Sequence, residues 1–276
     1  MATKIIQMKH KQINERHLEV HLTHHCNLNC VGCSHFSPSA DVWFSDVDVY
    51  RKDMQRVKDI GILDIFKYIH LMGGEPMMHK DVNQFIEVTR QMFPEKEIVL
   101  STNGILLPFN DEQEDKKGFW KESAKHDVKV FLSWYPPLTA DKVEQIKVMA
   151  RKHSVCLRIK DKPEMRGPGF KLSGGFNPKE NFDKCPVSVC TNLLEGKLYT
   201  CAPLAYAFIF NKKYNQNLPE KGGINIYQDL TKDEFIKKLN RPVKLCGYCI
   251  ITPEQFSQRT KWYQSGGKME EYVREL

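Results

Sequence analysis

Cys26, Cys30 and Cys33 fall within one short run, Cys26-Asn-Leu-Asn-Cys30-Val-Gly-Cys33. Thiolates this closely spaced are ligands for a soft metal centre, and two kinds of centre suit them. A [4Fe–4S] cubane held by three thiolates keeps one iron open to a second molecule. A zinc ion needs a fourth tight ligand, which His24, His25 or His35 would have to supply. Spacing and position favour iron–sulfur, with the histidines as loop residues beside the site.

Five further cysteines lie in the last third of the chain: Cys185, Cys190, Cys201, Cys246 and Cys249. Gly196-Lys-Leu-Tyr-Thr-Cys201 puts a cysteine beyond a predicted hairpin turn at Glu195-Gly196, with Cys185 on its other side. Cys246-Gly-Tyr-Cys249 adds a tight pair. Together these elements complete a four-thiolate site, which satisfies zinc as well as iron–sulfur. Cys156 falls within a predicted strand and reads as a core residue.

Polar motifs recur at predicted strand ends. Gly73-Gly74-Glu75-Pro76 joins two glycines, which let backbone approach closely, to a carboxylate that suits an ammonium group. Ser101-Thr102-Asn103-Gly104 offers hydroxyl and amide groups suited to a ribose, with Ser101 and Asn103 as the candidates, and Ser133 closes the next strand. For each, a plain polar turn is the competing role. Trp134 and Tyr135 either line a pocket or fill the rim, and Arg166 is either a substrate anchor or a solvated loop residue.

The elements that must position these groups follow from periodicity. Segments rich in β formers, His17 to Thr23, Phe66 to Met72, Ile98 to Ser101, Val128 to Leu132 and Val155 to Ile159, alternate with helical stripes. This is the rhythm of βα units in a parallel sheet, with five strands visible and a sixth uncertain. One helix carries Val47, Tyr50, Met54 and Val57 after Ser45 as N-cap, with Asp48 three residues on. A second carries Val82, Phe85, Ile86 and Met92. A third carries Val143, Ile146 and Ala150, opened by Asp141 and Glu144. The rhythm stops near residue 160 in the Gly/Pro-rich stretch KPEMRGPGFKLSGGFNP, dividing the chain into 1–165 and 166–276. Helices are predicted to begin at Thr231, with Glu234, and at Thr252, with Pro253 and Gln255.

The composition is that of a globular protein, at 41% hydrophobic residues, and no apolar run is long enough for a signal peptide or a membrane span. The expectation is therefore a soluble, cytoplasmic protein whose cysteines stay reduced. Lys and Arg number 41 against 34 Asp and Glu, for a net charge of +7. The basic residues are dispersed with no aromatic-interleaved run, which argues against nucleic acid.

On C-x3-C-x2-C at the end of a first strand and on Gly73-Gly74-Glu75-Pro76, the chain resembles the radical S-adenosylmethionine (SAM) superfamily. The resemblance implies an α/β fold built on a partial (β/α) barrel, with Cys26, Cys30 and Cys33 holding a [4Fe–4S] cluster. The open iron chelates the amino and carboxylate groups of SAM, and reductive cleavage gives a 5′-deoxyadenosyl radical. Gly73, Gly74, Glu75 and Pro76 would hold the methionine amino group, and Ser101, Asn103 and Ser133 would contact SAM. Gly32 stands where many members carry an aromatic residue, so His35 or Phe36 would pack the adenine.

The C-terminal part resembles the twitch and SPASM extensions of the same superfamily, a small hairpin-plus-helix unit. No cysteine follows Cys249, so the shorter twitch form fits. It implies one auxiliary [4Fe–4S] cluster on Cys185, Cys201, Cys246 and Cys249, with Cys190 spare. An auxiliary cluster points to oxidation of a carbinol or amine carbon on a small sugar- or aminocyclitol-like molecule. The chain would be served by an external flavodoxin- or ferredoxin-type electron donor. Peptide or protein modification is the runner-up, set back because no segment at either end resembles a winged-helix peptide-binding module. Nucleotide or nucleic-acid modification rests on charge alone. A non-enzymatic zinc-binding module would need both cysteine groups to be structural.

Overall fold

A computed structural model describes residues 5–7, 16–110, 118–161, 169–251 and 261–274. After β1 (Ile5–Gln7), four strand–helix–strand units follow in turn. They comprise β2 (His17–His21), α1 (Val47–Ile60), β3 (Tyr68–Met72), α2 (Val82–Met92), β4 (Glu97–Thr102), α3 (Phe119–Lys125), β5 (Val128–Trp134), α4 (Ala140–Lys152) and β6 (Leu157–Asp161). The C-terminal part contributes β7 (Gly169–Phe170), α5 (Pro178–Lys184), β8 (Cys190–Leu194), β9 (Lys197–Tyr199), α6 (Ala202–Tyr214), β10 (Ile224–Asn225), α7 (Lys232–Leu239) and β11 (Cys249–Ile250).

One sheet runs β1-β6-β5-β4-β3-β2-β8-β9-β10. Its neighbours are parallel from β1 through β8, because each helical crossover returns the chain in the same direction. The α/β architecture with a mostly parallel sheet is the one read from the sequence, enlarged by β1 and β8. The β8–β9 hairpin is hydrogen-bonded into the same sheet: His17 pairs with Cys190 and Val20 with Leu193. Its two-residue turn, Glu195-Gly196, has positive φ at both positions (47° and 69°), as a type I′ turn requires. The buried Asp53 on α1 fixes that turn, accepting from Gly196 N at 2.9 Å and from the Tyr227 hydroxyl at 2.7 Å.

Alternation along the strands separates two faces. Leu18, Val20, Ile69, Leu71, Ile98, Leu100, Val130 and Leu132 point to one side and form a core with Met54, Val57, Phe85, Ile86, Val143 and Ile146 of the helices. The opposite face is polar. There Glu19 accepts from His17 and Asn192, His70 bonds Ser101 Oγ, and Glu97 pairs with Lys129 and Arg158. A second core beneath α6 joins Phe36, Phe170, Leu194, Tyr206, Phe210, Leu245 and Tyr272.

Several local expectations shift by a residue or two. The cap of α1 is Asp46, whose carboxylate accepts from Asp48 N and Val49 N, while Ser45 instead offers its carbonyl to His79. The cap of α4 is Thr139, with Asp141 in the first turn. Cys156 precedes β6 and is only half-buried. Thr231 and Glu234 form the reciprocal capping box of α7. Arg166 and the helix predicted from Thr252 lie outside the described residues.

Candidate active site

The loop carrying Cys26, Cys30 and Cys33 leaves the C-terminal end of β2 and is fastened at once to the end of β3. Leu22 N donates to Met72 O (2.8 Å), Gly74 N to Thr23 O (2.8 Å) and Glu75 N to His25 O (3.2 Å). Only glycine permits that approach. A Cβ on Gly73, which has φ +152°, would lie 2.4 Å from Thr23 O, and one on Gly74 would lie 1.9 Å from His25 O. The two glycines therefore bring backbone against the cysteine loop itself.

Glu75 is 1% exposed, and its carboxylate accepts from Met77 N (3.0 Å), the Thr102 hydroxyl (2.6 Å) and Asn103 N (2.8 Å). It thereby ties the end of β4 to the turn after β3. Pro76 opens that turn and does not line the cavity described next. The Asn103 amide reaches back to the loop, donating to Asn27 Oδ1 (2.7 Å) and approaching Cys26 Sγ (3.7 Å).

These elements line an open cavity of about 220 Å³. Cys26, Cys30 and Cys33 line it together with Gly73, Gly74, Glu75, Ser101, Asn103 and Ser133. His35, Thr102 and Tyr135 line it as well. Tyr135 thus faces the cavity, whereas Trp134 donates its indole N–H to Leu138 O and packs against the core. Phe36 is turned into the second core against Phe170, Phe210 and Tyr272, leaving His35 as the ring beside the cavity. His24 stacks on Trp43 and His25 bonds Thr23 Oγ1.

The sulfurs sit among N–H donors. Leu28 N donates to Cys26 Sγ (3.3 Å) and the Trp262 indole to Cys30 Sγ (3.0 Å). Burial, reinforced by the Glu75 charge, pushes the Cys26 thiol up, and burial holds Cys30 at about 12 despite the Trp262 donor. Burial also acts on Cys33, yet the His35 imidazole and the amides of residues 35 and 37 carry it below the ordinary thiol value. Burial disfavours charge on His35 too, but the neighbouring Cys33 and the Glu19 carboxylate, 3.7 Å away, raise it to about 9. Among the described residues, the only three-donor group with all ligand atoms within 4.8 Å is His17, Glu19 and Cys190. At least one pair of the loop sulfurs is therefore set wider than the roughly 4 Å between thiolates on one tetrahedral zinc. Three thiols facing one cavity, with donors aimed at their sulfurs, fit an iron–sulfur cube bound through three of its corners.

Beyond β6, Cys185, Cys201, Cys246 and Cys249 line a second, apolar cavity of about 30 Å³. Cys190 stands apart, beside His17 and Glu19. Asn181 on α5 holds the Cys246–Cys249 turn, its amide donating to both carbonyls at 2.7 Å. Burial pushes all four thiols up.

The Radical SAM superfamily model matches residues 20–117, which contain the first cavity's cysteine loop and the turns after β3 and β4. Over this stretch the chain is similar to the radical SAM superfamily. Over 102 residues the chain is 33% identical to the GTP 3′,8-cyclase of Clostridium botulinum, covering 37% of this chain and 32% of that protein. A Nautilia profundicola GTP 3′,8-cyclase is 27% identical over 136 residues, 49% of this chain and 40% of that protein. The chain thus spans less than half the length of the curated relatives it matches. The crystal structure of BtrN in complex with AdoMet and 2-DOIA superposes with a TM-score of 0.53 at 16% identity, covering 89% of this chain and 98% of that one. That likeness is one of fold, and at 89% of this chain it extends well past residues 20–117.

Sequence reasoning missed three residues of these sites. Thr102 lies inside the Ser101–Gly104 motif but carries no signal of its own there, although its hydroxyl bridges Glu75 and Gly104 N. Asn181 sits in a short polar helix with no motif around it. Trp262 approaches Cys30 from 232 residues away along the chain, with nothing nearby in sequence to mark it.

Proposed function

We propose that this chain is a radical SAM enzyme that removes hydrogen from a carbinol or amine carbon of a small polar molecule, oxidising it by two electrons. Cys26, Cys30 and Cys33 would hold a [4Fe–4S] cluster. Gly73, Gly74, Glu75, Ser101, Asn103 and Ser133 would surround SAM, with Pro76 shaping the turn. When bound, the reduced cluster and SAM supply a 5′-deoxyadenosyl radical, chemistry that belongs to the cofactor. The observation that carries this reading is that residues from a loop and three separate strand ends, singled out by type and spacing, all line one cavity.

The chain's own contribution is positioning. Glu75 braces Thr102 and Asn103, and Asn103 in turn braces the cysteine loop, so one buried carboxylate registers three segments around the cavity. The substrate carbon would surrender a hydrogen atom to yield 5′-deoxyadenosine, then lose a proton and one electron to become a carbonyl or imine. Cys185, Cys201, Cys246 and Cys249, which line the second cavity, would hold an auxiliary [4Fe–4S] cluster as acceptor of that electron. A twitch-type extension over 166–276 accounts for this arrangement, and an external flavodoxin- or ferredoxin-type protein would supply the first electron. The test is product analysis with anaerobically reconstituted protein and polyol or amino-alcohol candidates. The reading requires 5′-deoxyadenosine in step with a two-electron oxidised product; 5′-deoxyadenosine with no such product from any candidate would overturn the oxidation.

A further inference from the structure

The segment 262–265 lies antiparallel against the first cysteine loop. Gln264 bridges Cys30, Val31 N donates to Tyr263 O (3.2 Å) and Ser265 N donates to Asn29 O (2.7 Å). All of these contacts fall on residues 29–31, centred on one sulfur, and the Trp262 indole N–H then points at that sulfur from 3.0 Å. The segment is anchored beyond this point. Glu271 accepts from the Ser265 hydroxyl and from Gly266 N, and Phe170 pairs with the 272–274 backbone (2.8 and 2.9 Å). Phe170 also pairs with Cys249 across the β7–β11 ladder, so the strap is linked through Phe170 to the second cysteine site.

Indole nitrogen is a donor only, so it neither ligates a metal nor accepts a proton. An N–H aimed at a ligand sulfur stabilises negative charge there, more so when the sulfur is shielded from water, and Cys30 is 8% exposed. An added electron increases the negative charge on a cluster's sulfurs, so a donor favours the reduced form and raises the reduction potential.

We infer that Trp262 is a positioning residue for the first cluster, its indole N–H on Cys30 Sγ holding the reduction potential up. The inference rests on the proposed cluster at Cys26, Cys30 and Cys33. It concerns how readily that cluster takes its electron, a property the cysteine motif does not specify.

The test is a poised redox titration of reconstituted protein followed by electron paramagnetic resonance, comparing wild type with Trp262→Phe and Tyr263→Ala. Phenylalanine keeps a ring in the strap and deletes the N–H. Tyr263 is 49% exposed and contributes its backbone carbonyl, so its substitution leaves the sulfur donor intact. The expected result is a more negative midpoint in Trp262→Phe. At fixed potential its ratio of reduced to oxidised cluster falls by on the order of tenfold, with Tyr263→Ala unchanged. An unshifted midpoint in an iron-loaded Trp262→Phe overturns the inference.

Should Trp262→Phe fail to load, wild-type protein labelled with 15N at its indoles decides. Pulsed resonance of the reduced first cluster detects coupling to one indole nitrogen if the inference holds and none if it does not. Wild-type protein that forms no SAM-responsive cluster refutes the proposed function instead, a failure visible before any variant is made.

Discussion

Gly74→Ala isolates the joint between β3 and the cysteine loop. The added Cβ would lie 1.9 Å from His25 O, 2.3 Å from His25 C and 2.7 Å from His24 O, all backbone atoms that cannot rotate away. Restoring ordinary contact means parting the two segments by more than 1 Å. Two of the three bonds that join them, Gly74 N to Thr23 O and Glu75 N to His25 O, then break. Two lost hydrogen bonds at about 1 kcal/mol each, with about 1–3 kcal/mol for overpacking, give a loss of about 3–5 kcal/mol. Gly61→Ala is the control: φ is +72° with open space around it, so it costs roughly 1 kcal/mol and leaves the site intact. The assays are denaturant unfolding and iron analysis after anaerobic reconstitution. Gly74→Ala should unfold at lower denaturant and lose the first site's share of iron, falling from roughly eight to roughly four irons per chain. A Gly74→Ala protein with wild-type stability and full iron would refute the reasoning, since the clash admits no lesser adjustment.

Other substitutions separate the two cavities. Cys185→Ala or Cys246→Ala should lower iron by roughly four per chain while 5′-deoxyadenosine still forms without substrate, and Cys190→Ala should leave iron unchanged. Asn181→Ala removes two bonds to the Cys246–Cys249 turn and should cost about 2–3 kcal/mol in unfolding experiments, with faster loss of iron to a chelator from the second site alone. Glu75→Gln sets an amide N–H against groups that donate to the present carboxylate. It should cost about 2–4 kcal/mol and weaken SAM binding as read by resonance of the reduced cluster.

What the sequence revealed and what it hid have physical reasons. The five central strands were legible because β formers cluster in them and helical stripes separate them. The β8–β9 hairpin was legible because Glu195-Gly196 is a turn dipeptide. That β8 would join the barrel sheet beside β2 was not, since strand pairing across more than 170 residues leaves no local mark. Helix α6 escaped notice because Ala202–Phe210 is buried on nearly every side and so shows no stripe. Helix α5 is short and polar. Cap assignments slipped where two good capping residues stand close together, as Ser45 and Asp46 do, or Thr139 and Asp141. The first cavity was readable through its cysteines and glycines, whose types are tied to thiolate ligation and close backbone approach. The groups that brace those residues were not, because a hydrogen bond from Thr102, Asn181 or Trp262 is set by the tertiary fold.

The central claim is a three-cysteine cluster with one corner open to SAM. Its most direct measurement is pulsed resonance on anaerobically reconstituted, reduced protein given SAM labelled with 15N at the methionine amino group. Strong 15N coupling to the cluster, abolished in a Cys26/Cys30/Cys33 triple alanine variant, is the predicted result. A spectrum indifferent to SAM, from a protein that holds its full iron, would contradict it.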